Sequence, residues 1–193
     1  MFMGSNPTSR NIQTIELLKR LPGLRDFEVR PLIREDSTWL SRFVEVNWGS
    51  RKVVSRARVH YPEKLEGFVA IKDRNPVGLV TYRIENGECE VVTINSDISS
   101  LGIGSALLDA VKKVAASAGC RRLWLITTND NLPALRFYQK RGFRLAALYP
   151  NALERSRELK PEIPFVGRDG IPLRDEIELE IPLIPPTEET SLG

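Results

Sequence analysis

Histidine occurs once in this chain, at His60, and cysteine only twice, at Cys89 and Cys120. A lone histidine excludes a histidine-rich metal centre, and the sequence offers it no partners for a hydrolase triad. The two cysteines lack metal-ligand spacing and each sits beside apolar residues. Both read as small buried hydrophobes in a reducing compartment. Long apolar runs are missing as well. None approaches the length of a bilayer span, and the N-terminus has no apolar stretch of the kind a secretory signal carries. The expectation is a cytoplasmic protein with no membrane and no metal. Nor does one sign of charge dominate, since 28 Lys and Arg stand against 25 Asp and Glu for a net +3. The densest basic group is Arg51, Lys52, Arg56 and Arg58, and the rest are scattered. That dispersion gives no stripe to track a phosphate backbone, so no nucleic acid is expected as a partner.

What is present suits one domain with a full core: 193 residues, of which 41% are hydrophobic and 27% charged. A short helical pattern before residue 25 stops at Pro22-Gly23 and reads as an extension. A strand is expected over 27–30 and a helix over 36–47, whereas 51–59 fits a helix or a loop equally. After Pro62 come β-rich runs at 67–71, 76–84 and 88–94, with turns at Asp73-Arg74-Asn75 and Asn86-Gly87. A helix opens at Gly104 and is ended by Gly119; 122–128 is a buried-type strand; a second helix over 131–141 is ended by Gly142. Strands over 143–148 and 176–183 are joined by a long connection rich in proline and charge. The tail from Ile184, rich in Pro, Thr and Glu, is expected to be disordered. The expected order is mixed α/β with no repeat and no second domain, which argues against a doubly wound dinucleotide domain.

Two segments carry chemistry. In Leu101-Gly102-Ile103-Gly104-Ser105-Ala106 two glycines meet the start of an amphipathic helix just after a strand. Glycines there let the backbone approach a ligand, and the first helical amides favour phosphate. Leu107 stands where a dinucleotide fingerprint needs a third glycine, and no Gly-Lys-Ser/Thr follows, so neither that motif nor a P-loop is present. The second segment, Asn131 to Phe143, puts Asn131, Ala134 or Leu135, and Tyr138 on one helix face. That face suits a site with an amide and a phenol. It suits equally a core-packed tyrosine with Asn131 as the helix cap.

Together the two segments resemble the GNAT superfamily of acyl-CoA-dependent N-acetyltransferases. The family's Gln/Arg-x-x-Gly-x-Gly/Ala appears here as Ser99-Ser100-Leu101-Gly102-Ile103-Gly104. Its Asn-x-x-Ala-x-x-Phe-Tyr-x-x-x-Gly-Phe is Asn131, Ala134, Phe137, Tyr138, Gly142 and Phe143. Ser99 departs from the pattern, being short and uncharged where Gln or Arg is usual. The resemblance implies a central mixed, mostly antiparallel sheet flanked by helices in three layers. Residues 26–183 would form the acetyltransferase domain, preceded by the extension 1–25 and followed by the tail 184–193. It implies acetyl-CoA as co-substrate, with pyrophosphate over the amides of Gly102, Ile103, Gly104, Ser105 and Ala106 beside Leu101. Pantetheine would run along the strand holding Ile94 and Asn95 and be held by Asn131. Tyr138 would protonate the departing thiolate. Glu88 and Glu90 share one face of that strand, so either would serve as base, directly or through water, or else remain a solvated carboxylate. The acceptor it implies is an amine of a small molecule or a protein. A non-catalytic acyl-CoA-binding module is the rival on the same fold. Dimerisation is common in such folds, and a homodimer is a further expectation. On the acceptor side Trp48 would stack on substrate or merely pack its helix. Glu154, Arg155, Glu158, Glu162, Arg168 and Asp169 in the long connection would shape a pocket or be solvated loop charge.

Overall fold

The structure, a computed structural model, describes residues 26–98 and 101–183. The extension 1–25, the tail 184–193 and Ser99 and Ser100 of the glycine motif lie outside the described residues. Among the described residues nine strands and four α-helices follow one another: β1 (Glu28–Pro31), α1 (Ser37–Trp48), β2 (Val53–Ser55), β3 (Arg58–His60), β4 (Glu66–Lys72), β5 (Asn75–Glu85), β6 (Glu88–Ser96), α2 (Ile103–Ser117), β7 (Arg122–Thr128), α3 (Leu132–Gln139), β8 (Arg144–Tyr149), α4 (Ala152–Leu159) and β9 (Glu176–Pro182). Seven strands form one sheet in the order β1-β4-β5-β6-β7-β9-β8, and β2 and β3 form a separate hairpin. Every pairing is antiparallel except β6 with β7. This is the mixed, mostly antiparallel three-layer α/β fold that the sequence led us to expect.

Alternation along the strands divides the core between the two faces. On one face Val80, Cys89, Val91, Leu123, Leu125 and Leu179 pack against Ile103, Leu107, Leu108 and Val111 of α2 and Tyr138 of α3. On the other, Leu79 and Val92 meet Leu40 and Val44 of α1 and Val53 of the hairpin. Both cysteines are buried and unpaired, and burial pushes the Cys89 thiol up to about 12.

Where the sequence left 51–59 open, the chain makes a hairpin turning through Arg56 and Ala57 at φ 51° and 55°. Two-residue turns of this hand usually advertise themselves with Asn-Gly, as Asn86-Gly87 does, and here that signal is missing. The long connection is not plain loop either. It holds α4, in which only Leu153 and Ser156 are buried. So short an apolar stripe gives little periodicity to read.

Candidate active site

β6 and β7 run parallel and pair only over Cys89–Leu123, Glu90–Trp124 and Val91–Leu125. Beyond Val91 and Leu125 they part, β7 keeping β9 and β6 keeping β5 as neighbours. A register shift between Thr81 and Tyr82 of β5 marks the same point and leaves Val92 as the extra residue of a bulge, which bends β6 away. The result is a cleft whose walls are the strand ends holding Ile94 and Asn95 on one side and Ile126 to Thr128 on the other.

The N-terminus of α2 stands at this cleft. Gly102 is its N-cap at φ 77°, a conformation that glycine adopts without strain. A Cβ on Gly104 would come within 3.0 Å of the Phe137 ring, so the second glycine lets α2 and α3 approach. The first intrahelical bond runs from the Ala106 amide to the Gly102 carbonyl at 3.0 Å. The amides of Ile103, Gly104 and Ser105 therefore lack intrahelical acceptors. Ala106 is a correction: its N–H is spent within the helix and is not available to an anion. The side chains of Ile103 and Ala106 are core, so whatever they offer comes from backbone. Arg141 donates to Ser105 Oγ at 2.9 Å and lies 3.5 Å over the Phe137 ring. With Arg136 and Lys140 it flanks an open surface pocket of about 550 Å³ beside Ser105. Free amides, the positive end of a helix dipole and three cations make a good seat for phosphates. The sequence pattern gave the amides but not the cations.

α3 places the second motif. Asn131 is its N-cap, the side-chain oxygen accepting from the Ala134 amide at 3.4 Å; the carboxamide NH2 has no partner among the described residues. Tyr138 is 6% exposed, wedged between Phe137 at 5.2 Å and Phe143 at 5.6 Å. Burial raises its pKa, so the phenol holds its proton at neutral pH. The second alternative for this helix thus holds structurally, with Asn131 as its cap and Tyr138 as part of the core. Neither excludes a ligand.

On the opposite face of the sheet, beneath α1, the hairpin and α4, a cavity of about 460 Å³ opens against the cleft. Trp48, Val53, Val92, Ile126 and Leu153 give it apolar wall, and Ser55, Asp130, Asn131, Lys160 and Glu176 give it polar points. The connection between β8 and β9 closes one side through Ile163, Pro164, Arg168 and Leu173. It is pinned where the Arg168 amide donates to Asp130 Oδ2 at 2.9 Å. Glycine at 167 permits this, because a Cβ there would sit 2.1 Å from the same oxygen.

Neither carboxylate singled out from the sequence lines this cavity, and that is the second correction. Glu88 is ion-paired with Arg121 and Arg122 at 3.1 and 2.9 Å, and chiefly the hydrogen bond from Arg122 lowers its pKa. Glu90, 3% exposed, accepts from Arg83 at 2.8 Å and from Ser55 Oγ at 2.9 Å. Ser55, not Glu90, faces the cavity, and His60 Nε2 lies 3.4 Å from the same hydroxyl. The carboxylate that does line it is Glu176, 1% exposed, accepting from Ser156 Oγ at 3.2 Å and the Arg56 amide at 3.0 Å. Burial raises its pKa. Of the connection residues considered from sequence, Glu162 and Arg168 line the cavity. Trp48 packs beside the α1 core and also lines the wall.

Among the described residues no group of His, Cys, Asp and Glu could hold a metal, and no helix is long and apolar enough to cross a membrane. The sequence profile of the Acetyltransferase (GNAT) family matches residues 30–143. YdhI of Bacillus subtilis strain 168, an uncharacterized protein, is 44% identical over 139 residues, covering 72% of this chain and 87% of the relative. Among solved structures, an IAA acetyltransferase from Bacillus cereus superposes with a TM-score of 0.60 at 20% identity, over 81% of this chain and 99% of that one. A GNAT family acetyltransferase from Elizabethkingia anophelis with acetyl-CoA bound gives 0.58, also at 20%, over 82% and 99%. At such identities these two likenesses speak for the fold.

Proposed function

The chain belongs to the GNAT acetyltransferase family, and from that premise we propose that it moves the acetyl group of acetyl-CoA to the primary amine of a small molecule by direct attack. The observation that carries this reading is the meeting of two half-sites across the parted strands β6 and β7. A phosphate seat stands at the N-terminus of α2, and a half-open cavity with a buried carboxylate lies on the other face. The free amides of Ile103, Gly104 and Ser105 and the cations Arg136, Lys140 and Arg141 take the phosphates of CoA. The unpaired backbone edge of β6 around Ile94 and Asn95 receives the pantetheine arm, with the free amide group of Asn131 beside it.

The acceptor occupies the cavity. Glu176 takes a proton from the amine, the nitrogen bonds to the thioester carbonyl carbon, and the carbon–sulfur bond breaks. Tyr138, kept protonated by burial, gives its proton to the departing thiolate and recovers one from solvent, to which Glu176 releases its own. Ser55 stands between the cavity and Glu90, which makes Glu90 a carboxylate behind the wall rather than the base.

A cavity of about 460 Å³ walled by residues 160–173 has the dimensions of a small-molecule site, and this favours a free amine over a lysine on a protein surface. To test the reading, the protein is mixed with acetyl-CoA and either small amines or lysine-bearing peptides, and products are identified by mass spectrometry. Acetylated small amines are expected. Acetylated peptides alone would make it a protein-modifying enzyme, and acetyl-CoA binding with no product would make it a binding module.

A further inference from the structure

Two cavity-wall groups of opposite sign, Glu176 and Lys160, have no ion-pair partner among the described residues. Glu176 has only neutral donors, a serine hydroxyl and a backbone amide. Lys160 is 6% exposed, and its Nζ donates to two backbone carbonyls, Trp48 at 2.6 Å and Lys52 at 3.0 Å. Neither group forms an ion pair among the described residues. An ammonium has three protons to give, so one is left without a partner there. The C-terminal carbonyl of α1 at Trp48 and the Lys52 carbonyl just before β2 take two of the three bonds, and the first sets the charge at the negative end of a helix dipole. Neither explains why a buried cation is left one hydrogen bond short, which is costly unless something pairs with it.

Position links the two groups. The Lys160 amide closes a helical turn on the Ser156 carbonyl at 2.9 Å, and the Ser156 hydroxyl holds Glu176. The lysine is thus rooted one turn of α4 beyond the carboxylate's own anchor, roughly 5–6 Å along one helix face. A second cation stands at the rim. Arg168 is exposed, its guanidinium has no hydrogen bond among the described residues, and its backbone is fixed to Asp130. Glu162, exposed at the same rim, acts on Lys160 only through space.

From this pairing we infer that the acceptor is an amino acid: an amine that carries its own carboxylate, the nitrogen facing Glu176 and the carboxylate facing Lys160 and Arg168. The inference rests on the acetyl-transfer reading above and deepens it. The apolar wall of Trp48, Val53, Val92, Ile126 and Leu153 takes the remainder of the molecule. An amine without a carboxylate leaves the lysine proton unpaired in the filled cavity. Sites built for such a hydrogen bond reject the analogue lacking it by large factors.

The test uses the full chain with saturating acetyl-CoA and reads thiol release. The twenty common amino acids, β-alanine and γ-aminobutyrate are each compared with the matched amine lacking the carboxyl group. At least one amino acid should exceed its matched amine by roughly 100-fold or more in kcat/KM. In Lys160→Met the preference should collapse, chiefly through a raised KM for the amino acid, while acetyl-CoA affinity read by titration calorimetry is retained. Arg168→Gln, at an exposed position where folding is not at stake, should raise the same KM several-fold. Matched amines that do as well as amino acids would overturn the inference and leave acetyl transfer standing, as would a Lys160→Met enzyme that keeps its preference. Acetyl-CoA bound with no amino acid turned over would overturn it as well. Failure to bind acetyl-CoA, read by titration calorimetry, would remove both readings together.

Discussion

A carboxylate enclosed as Glu176 is (1% exposed, with only a hydroxyl and an amide as hydrogen-bond donors) pays for its position in stability and gains basicity from it. Its raised pKa means that the folded protein binds a proton more readily there than the unfolded chain does. The penalty is absent below the unfolded value, about 4.3, and grows as the pH rises through the folded one. Glu176→Gln should therefore raise the melting temperature at pH 7–8, with the gain vanishing near pH 4, while kcat falls by roughly 100-fold or more. In the wild type, kcat/KM should drop on acidification through a pKa above the ordinary carboxylate range. The phenol is tested separately. Tyr138→Phe should lower turnover by roughly ten- to a thousand-fold with acetyl-CoA affinity unchanged, as measured by steady-state kinetics and titration calorimetry. An unaltered rate would take Tyr138 out of the chemistry and leave it a core residue between Phe137 and Phe143.

Among the elements, α1 is anchored by one residue. Asp36 accepts both guanidinium branches of Arg30 at 2.7 and 2.8 Å, the Ile33 amide at 2.9 Å and the Trp39 indole at 2.9 Å. The Arg30 hydrogen bonds above all hold its carboxyl well below the usual carboxylate range. That lowered pKa contributes stability above the unfolded value near 3.9, and the contribution is lost as the pH falls below it. Asp36→Ala leaves the indole and amide donors unmatched and should cost about 2–3 kcal/mol at pH 7 by chemical denaturation, and less at pH 3. The elements themselves were largely legible. Glycines and alternation placed α2, β7 and β9 to within a residue or two, because Gly102, Gly119 and Gly142 are real helix boundaries. The β2–β3 hairpin was not legible, since its turn uses Arg56 and Ala57 at positive φ and carries no glycine to announce it. α4 escaped because Leu153 is its one buried apolar residue and the rest of its hold on the fold is polar, through Ser156 and the Lys160 that follows it.

Across the whole molecule, the donor half of the site was readable and the acceptor half was not. Asn131, Tyr138 and the glycines lie on contiguous segments with fixed spacing. The cavity is built instead from α1, the hairpin, β7, α4 and β9, which meet only in the folded chain. The alternation Glu176-Ile177-Glu178-Leu179-Glu180 announces a strand with one polar face. Nothing in it says that Glu176 and Glu178 will be covered, at 1% and 4% exposure, by elements 20 to 120 residues away in sequence. Closure of the cavity depends on Gly167, so Gly167→Ala should push the connection off Asp130. The KM for the acceptor should then rise with acetyl-CoA affinity unchanged, and steady-state kinetics with both substrates varied would show it.

The central claim is that the phosphate seat on α2 and the carboxylate-bearing cavity across the sheet are two halves of one acetyl-transfer site. Its most direct measurement is release of free thiol from acetyl-CoA with and without a panel of small amines, comparing wild type with Glu176→Gln. The account requires amine-dependent thiol release by the wild type and its near-complete loss in a variant that still binds acetyl-CoA. Equal release by both proteins, or binding of acetyl-CoA with no amine-dependent release by either, would contradict it.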